Sequence, residues 1–171
     1  MSARGFVVRV LPCFALLCAL NLHAADTDVQ VQIDSRHAGP RAMEPLSERG
    51  ILRDYKFAWG SIAQALESNS LDPLNGPFAG SAEKWLKQTV TSQQHSGISQ
   101  RVLDQNHHVE TVFYSPEGDV MELHDTAEYQ LQILDGSKTI SDQHVTMHYV
   151  VLMTPAADRW VVRQLQAVPQ F

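Results

Sequence analysis

Asp125 is the residue whose placement points most directly to chemistry. Along Met121–Ile133, Leu123, Ala127, Tyr129 and Leu131 alternate onto its face, while Glu122, His124, Glu128, Gln130 and Gln132 fall on the other. An acid on an apolar strand face loses hydration, and burial of that kind raises a carboxyl pKa toward the range of a general base. The same position also suits a structural acid, one that caps a bulge or pairs with an arginine such as Arg163. His124, His144 and His148 are the next candidates, with His148 the second catalytic possibility. His144 and His148 share a face but lie about 13 Å apart at extended rise, too far for one metal ion unless another strand intervenes. His107 and His108 are adjacent and so point to opposite faces. No metal site and no cofactor is expected from these spacings. Trp59, Trp85, Tyr129, Met147 and Tyr149 form an aromatic and methionine set that either lines a ligand pocket or fills a core. There is no serine nucleophile motif and no glycine-rich phosphate loop.

Those side chains need elements to hold them. From Glu48 to about residue 69, Leu52, Tyr55, Trp59, Ile62, Ala63 and Leu66 recur at three- and four-residue steps, which predicts an amphipathic helix with Ser47 as its N-cap. Leu71–Leu74 reads as one helical turn, and a second helix follows from about Ser81 to Ser96, stopped by Gly97. Beyond Gly97 the period changes to two. Extended stretches at 98–114, 120–134, 140–153 and 160–168 are joined by Pro116–Asp119, Asp135–Gly136 and Pro155–Asp158, all with hairpin chemistry. The expected architecture is α+β: two to three helices in the hollow of a curved four-stranded antiparallel meander.

The chain opens with Arg4 and Arg9, an apolar run from Val10 to Leu20, and then Leu22, His23, Ala24 and Ala25. That is a secretory signal peptide over residues 1–24, with the cut expected after Ala24 and Ala25 as the alternative. An uncleaved anchor is the competing reading, but the run falls short of the roughly 20 residues that span a bilayer. Cys13 and Cys18, the two cysteines, both lie within it. The mature chain would therefore have no cysteine for disulfides, thiolate catalysis or metal binding. Removing Arg4 and Arg9 leaves 11 basic residues against 19 acidic ones. With no basic stripe to neutralise phosphates, nucleic-acid binding is disfavoured. No span is expected in the mature chain. Residues 25–46 read as an arm or linker, in which Val29, Val31 and Ile33 alternate as a short strand. Such a strand pairs with its own sheet or docks onto a partner. The compact domain is placed at 47–171.

Two helices followed by a bent antiparallel sheet ending in Arg159-Trp160-Val161-Val162 resemble the nuclear-transport-factor-2-like superfamily, an α+β cone. Within it the chain is most similar to intermembrane-space-type domains of plastid and cyanobacterial division proteins and related bacterial envelope proteins. The resemblance rests on the Trp59 helix, the Trp85 helix and the strands His148–Leu152 and Arg159–Val162. These are packing positions, so they imply a fold; the superfamily holds both pocket enzymes and protein-binding domains. The leading expectation is an exported, non-catalytic module, periplasmic or secreted, that binds an envelope protein as an accessory subunit. The alternative is a small-molecule pocket, binding or isomerase/dehydratase-like, with Asp125 as base. Homodimerisation through the convex sheet face is compatible with either.

Overall fold

The computed structural model describes residues 29–171; the signal-peptide expectation falls outside them. The fold is α+β, with two helices and a five-stranded, mostly antiparallel sheet. Strand β1 (Gln30–Asp34) is followed by helix α1 (Pro45–Ser68), a 3-10 turn (Asp72–Leu74) and helix α2 (Gly80–Ser96). The long strands β2 (Ile98–Tyr114), β3 (Met121–Asp135) and β4 (Lys138–Pro155) come next, and β5 (Trp160–Val168) closes the order. Spatial order follows chain order, β1 to β5.

The predicted four-strand meander is present as β2–β5. The sheet has a fifth strand, however, because the arm pairs parallel with β2, Val31 opposite His107 and Ile33 opposite Val109. Val29 and Val31 are buried in the chain's own core and Ile33 packs against it. The arm pairs with its own sheet edge, one of the two uses expected for it. Burial of two valines draws the arm inward and ties residues 29–46 to the body of the fold.

Helix α1 starts two residues before Ser47. Pro45 occupies the first turn, where its fixed φ and missing N–H cost nothing, and Ser47 Oγ donates to the Glu44 carboxylate at 3.3 Å instead of capping. Ile51, Tyr55, Ala58, Trp59, Ile62 and Leu66 form its buried stripe against the sheet. Asn69, at φ 51, ends it in the left-handed conformation, and its side-chain amide donates to the Ile98 carbonyl at 2.7 Å. Gln93 of α2 donates to Leu66 O and Asn69 Oδ1, so the two helix ends are held together by hydrogen bonds, the first of them buried.

Between the helices, residues 77–79 run along β5: Ala79 N–H donates to Val162 O at 2.9 Å, and Val162 N–H to Pro77 O at 3.0 Å. Gly80 then turns into α2 at φ +61, where a Cβ would lie 3.2 Å from the Arg163 carbonyl oxygen. Gly80→Ala is therefore expected to cost about 1–3 kcal/mol, measured by urea unfolding, through strain and that approach together.

Candidate functional site

Asp125 is on the inner face of β3 and fully buried. Its carboxylate Oδ2 is shared by two groups: Tyr55 Oη of α1 donates to it at 2.7 Å, and His107 Nδ1 of β2 lies 2.8 Å away. His107 is as buried as Asp125, and Trp59, one helical turn after Tyr55, covers its ring at 4.5 Å between centroids. Tyr55 and Tyr149 each meet Trp59 edge-on. One hydrogen-bonded cluster thus joins α1, β2 and β3 beneath an aromatic lid.

Register explains how these groups meet. Asp125 is directly opposite Val109, and His107 opposite Ala127, so acid and imidazole are diagonal neighbours on one face. The expected arginine partner is not there: Arg163 Nε donates to Thr154 Oγ1, on the outside of the last hairpin. His107 and His108 do take opposite faces, one buried and one exposed.

The cluster's chemistry is constrained by its enclosure. A carboxylate with two donors on one oxygen is well satisfied there, while Asp125 Oδ1 and His107 Nε2 have no partner among the described residues. Gln105 and Thr111, along the same strand face, also hold buried polar atoms with no partner among the described residues. Burial, then the Asp125 charge, pushes the Tyr55 hydroxyl well above its ordinary pKa of 10.0. Burial and the adjacent Tyr129 do the same to Tyr149. Both phenols stay neutral in the fold while an unfolded tyrosine ionises near 10. Their stabilisation is complete below that pH and lost as pH rises above it. Thermal unfolding is expected to show a falling midpoint above pH 10, with a shallower fall in Tyr55→Phe.

A separate apolar hollow of about 190 Å³ lies between the helices and the sheet. Trp59, Trp85, Tyr129 and Tyr149 line it with Leu86 and Leu165. Met147, grouped with them on sequence, is absent from the lining and lies at the surface farther along β4. The Tyr129 and Tyr149 hydroxyls are 3.3 Å apart, placing a polar pair beside the apolar walls. Trp85 is 47% exposed at this hollow and also borders a groove along Gln164–Ala167 of β5. Neither Asp125 nor His107 reaches the hollow; Trp59 and Tyr149 stand between.

His108, His124, His144 and His148 lie on the outer face of the sheet. His148 Nδ1 is 3.1 Å from Thr126 Oγ1, and His148 and His124 both contact Phe171. His148 therefore lies across the sheet from Asp125 and shares no site with it. His37 pairs with Glu110 at 3.0 Å. Among the described residues no cluster of three or more histidines and carboxylates has metal-binding geometry. None of their helices is long and apolar enough to cross a membrane.

Sequence reasoning found Asp125 and missed Tyr55 and His107 as its partners. The signal for Tyr55 was its place on the α1 stripe; for His107 it was an imidazole on the same strand face as Val109 and Thr111.

No family model matches the chain, and no curated protein matches it. Among solved structures, the intermembrane-space region of the chloroplast protein ARC6 is similar in fold, with a TM-score of 0.59 and 13% identity. The match covers 75% of this chain and 98% of that one. At this identity the likeness is one of fold.

Proposed function

We propose that this protein is an exported, non-catalytic accessory domain that binds another protein of the cell envelope, within the nuclear-transport-factor-2-like class of folds. The observation that carries the reading is Trp85: a tryptophan half-exposed at the seam between α2 and β5, open to an apolar hollow on one side and a strand groove on the other. Tryptophans in such settings are typical anchors of protein interfaces. Fold likeness to an intermembrane-space domain supports an envelope location, as does the basic and apolar start of the sequence. Processing is expected after Ala24, before residues 25–171 reach the periplasm or the exterior.

A photo-crosslinking residue at Gln164, beside Trp85, tests the reading in the native envelope. A discrete adduct with a different protein is expected, reduced several-fold by Trp85→Ala at unchanged melting temperature. No adduct, or one indifferent to Trp85, would overturn the assignment.

The hollow itself favours a second reading, a small apolar ligand whose one polar group meets the Tyr129–Tyr149 hydroxyl pair. In that reading the isomerase-like use of Asp125 as base meets an obstacle: the carboxylate is fully buried and does not line the hollow.

A further inference from the structure

The sheet's last pairing is incomplete. β5 covers β4 only from His148 to Pro155, so among the described residues Lys138–Met147 has no strand on its far side. By contrast β5 is protected where Pro77 and Ala79 bond to Val162. An uncovered strand edge presents a row of backbone donors and acceptors, and proteins usually blunt such edges with proline, repeated lysine or shortness. The sequence Lys-Thr-Ile-Ser-Asp-Gln-His-Val-Thr-Met has no proline, one lysine at its start, and mostly exposed side chains. Its one bulge is at Ile140, which has no counterpart between Thr139 and Ser141 opposite β3; from Ser141 to Met147 the strand is regular.

We propose that this edge pairs antiparallel with the same edge of a second copy, about a twofold axis at Gln143, joining two sheets into one. A twofold axis perpendicular to the sheet keeps faces matched, so it must pass beside one residue facing its own copy. Centring on Asp142 would set two carboxylates against each other, and centring on His144 two imidazoles, leaving Asp142 opposite Thr146. Centring on Gln143 sets two self-complementary amides together and puts Asp142 opposite His144 of the second copy, twice. Ser141 then faces Val145, and the regular pairing ends there, because the bulge at Ile140 turns Thr139 onto the other face. Asp142 and His144 share the face of Gln132 and Gln130, their partners on β3, and Asp142 accepts hydrogen bonds from both glutamines. The second copy's strand lies along β4 where β5 stops at Val168. These exposed pairs fix register more than affinity, so the dimer is concentration-dependent.

The test uses the full chain with Cys13→Ser and Cys18→Ser. Gln143→Cys is expected to form a disulfide-linked dimer under mild oxidation far faster than Glu117→Cys, because facing residues of an antiparallel pair have Cα separations within disulfide reach. In sedimentation equilibrium without added cysteine, Asp142→Lys is expected to raise the dimer dissociation constant about tenfold or more, and Asp142→Lys/His144→Glu to recover it. Asp142 is on the surface, so circular dichroism should stay unchanged in both. A wild-type chain that stays monomeric at millimolar concentration would overturn the proposal. So would Gln143→Cys crosslinking no faster than Glu117→Cys, or a dimer indifferent to Asp142→Lys.

Discussion

Asp125→Ala is expected to lower the unfolding free energy by about 3–5 kcal/mol, read from urea denaturation with unchanged m-value. The substitution removes the acceptor of Tyr55 Oη and the partner of His107 Nδ1, and leaves both groups buried between α1 and the sheet. An unpaired buried donor costs its desolvation, about 1–3 kcal/mol, and a buried imidazole that has lost a carboxylate costs more. Tyr55→Phe removes one hydrogen bond and leaves Asp125 with His107, so its effect should be nearer 1 kcal/mol. Combining Tyr55→Phe with Asp125→Ala should cost less than the two effects added, since the phenol is no longer stranded. Additive losses would show that the phenol and the carboxylate do not act together.

Trp59→Ala should be as severe, about 3–5 kcal/mol, because a buried indole leaves a cavity at the junction of three aromatic contacts. It has a second consequence that a simple cavity lacks. Trp59 separates the apolar hollow from His107, so its removal opens a route from the hollow to the imidazole. Diethyl pyrocarbonate followed by peptide mass mapping should modify exposed His108 in the wild-type protein and spare His107. In Trp59→Ala, His107 should become reactive under conditions where the variant remains folded. Reactive His107 in the wild-type protein would mean that the centre is already open and that the catalytic reading of Asp125 must be revived.

Much of this fold is written in local pattern. The α1 stripe and the α2 stop at Gly97 are visible as periodicity, and β2–β5 as alternation between turn residues. Assignment of β1 to its own sheet was not. A five-residue strand that pairs parallel with β2, across both helices, leaves no local trace of its partner. The α1 start was misplaced because Ser47 is a good cap in isolation, while Pro45 already fits the first turn.

The site was legible by half, for a physical reason. The β2–β3 hairpin begins with Tyr114 opposite Met121; carried forward without a break, that register sets Asp125 against Glu110, on the solvent face of β2. A shift between Thr111 and Phe113 moves the pairing by one and brings Asp125 opposite buried Val109. A second irregularity, between Leu103 and Asn106, places Asp104 at φ 50 and lets Gln105 and His107 stay on the inner face. Bulges of this kind are set by tertiary packing under α1. Without them His107 cannot be read as a neighbour of Asp125. The aromatic set was easier, because Trp59, Tyr129 and Tyr149 follow from stripe and alternation. Met147 shares their strand face but lies beyond the helices' cover.

On the proposed reading, the buried centre holds the fold and binding happens at the Trp85 seam. Tyr55→Phe/His107→Phe/Asp125→Leu tests it most directly, since replacing a whole buried polar set with apolar groups of similar size is often neutral for stability. The measurement is the yield of the Gln164 photo-adduct from the triple variant, alongside its melting temperature. The expected result is a folded protein that gives the wild-type yield of the same adduct. A folded variant that has lost the adduct would contradict it, and would make the Tyr55–Asp125–His107 cluster part of what the protein does.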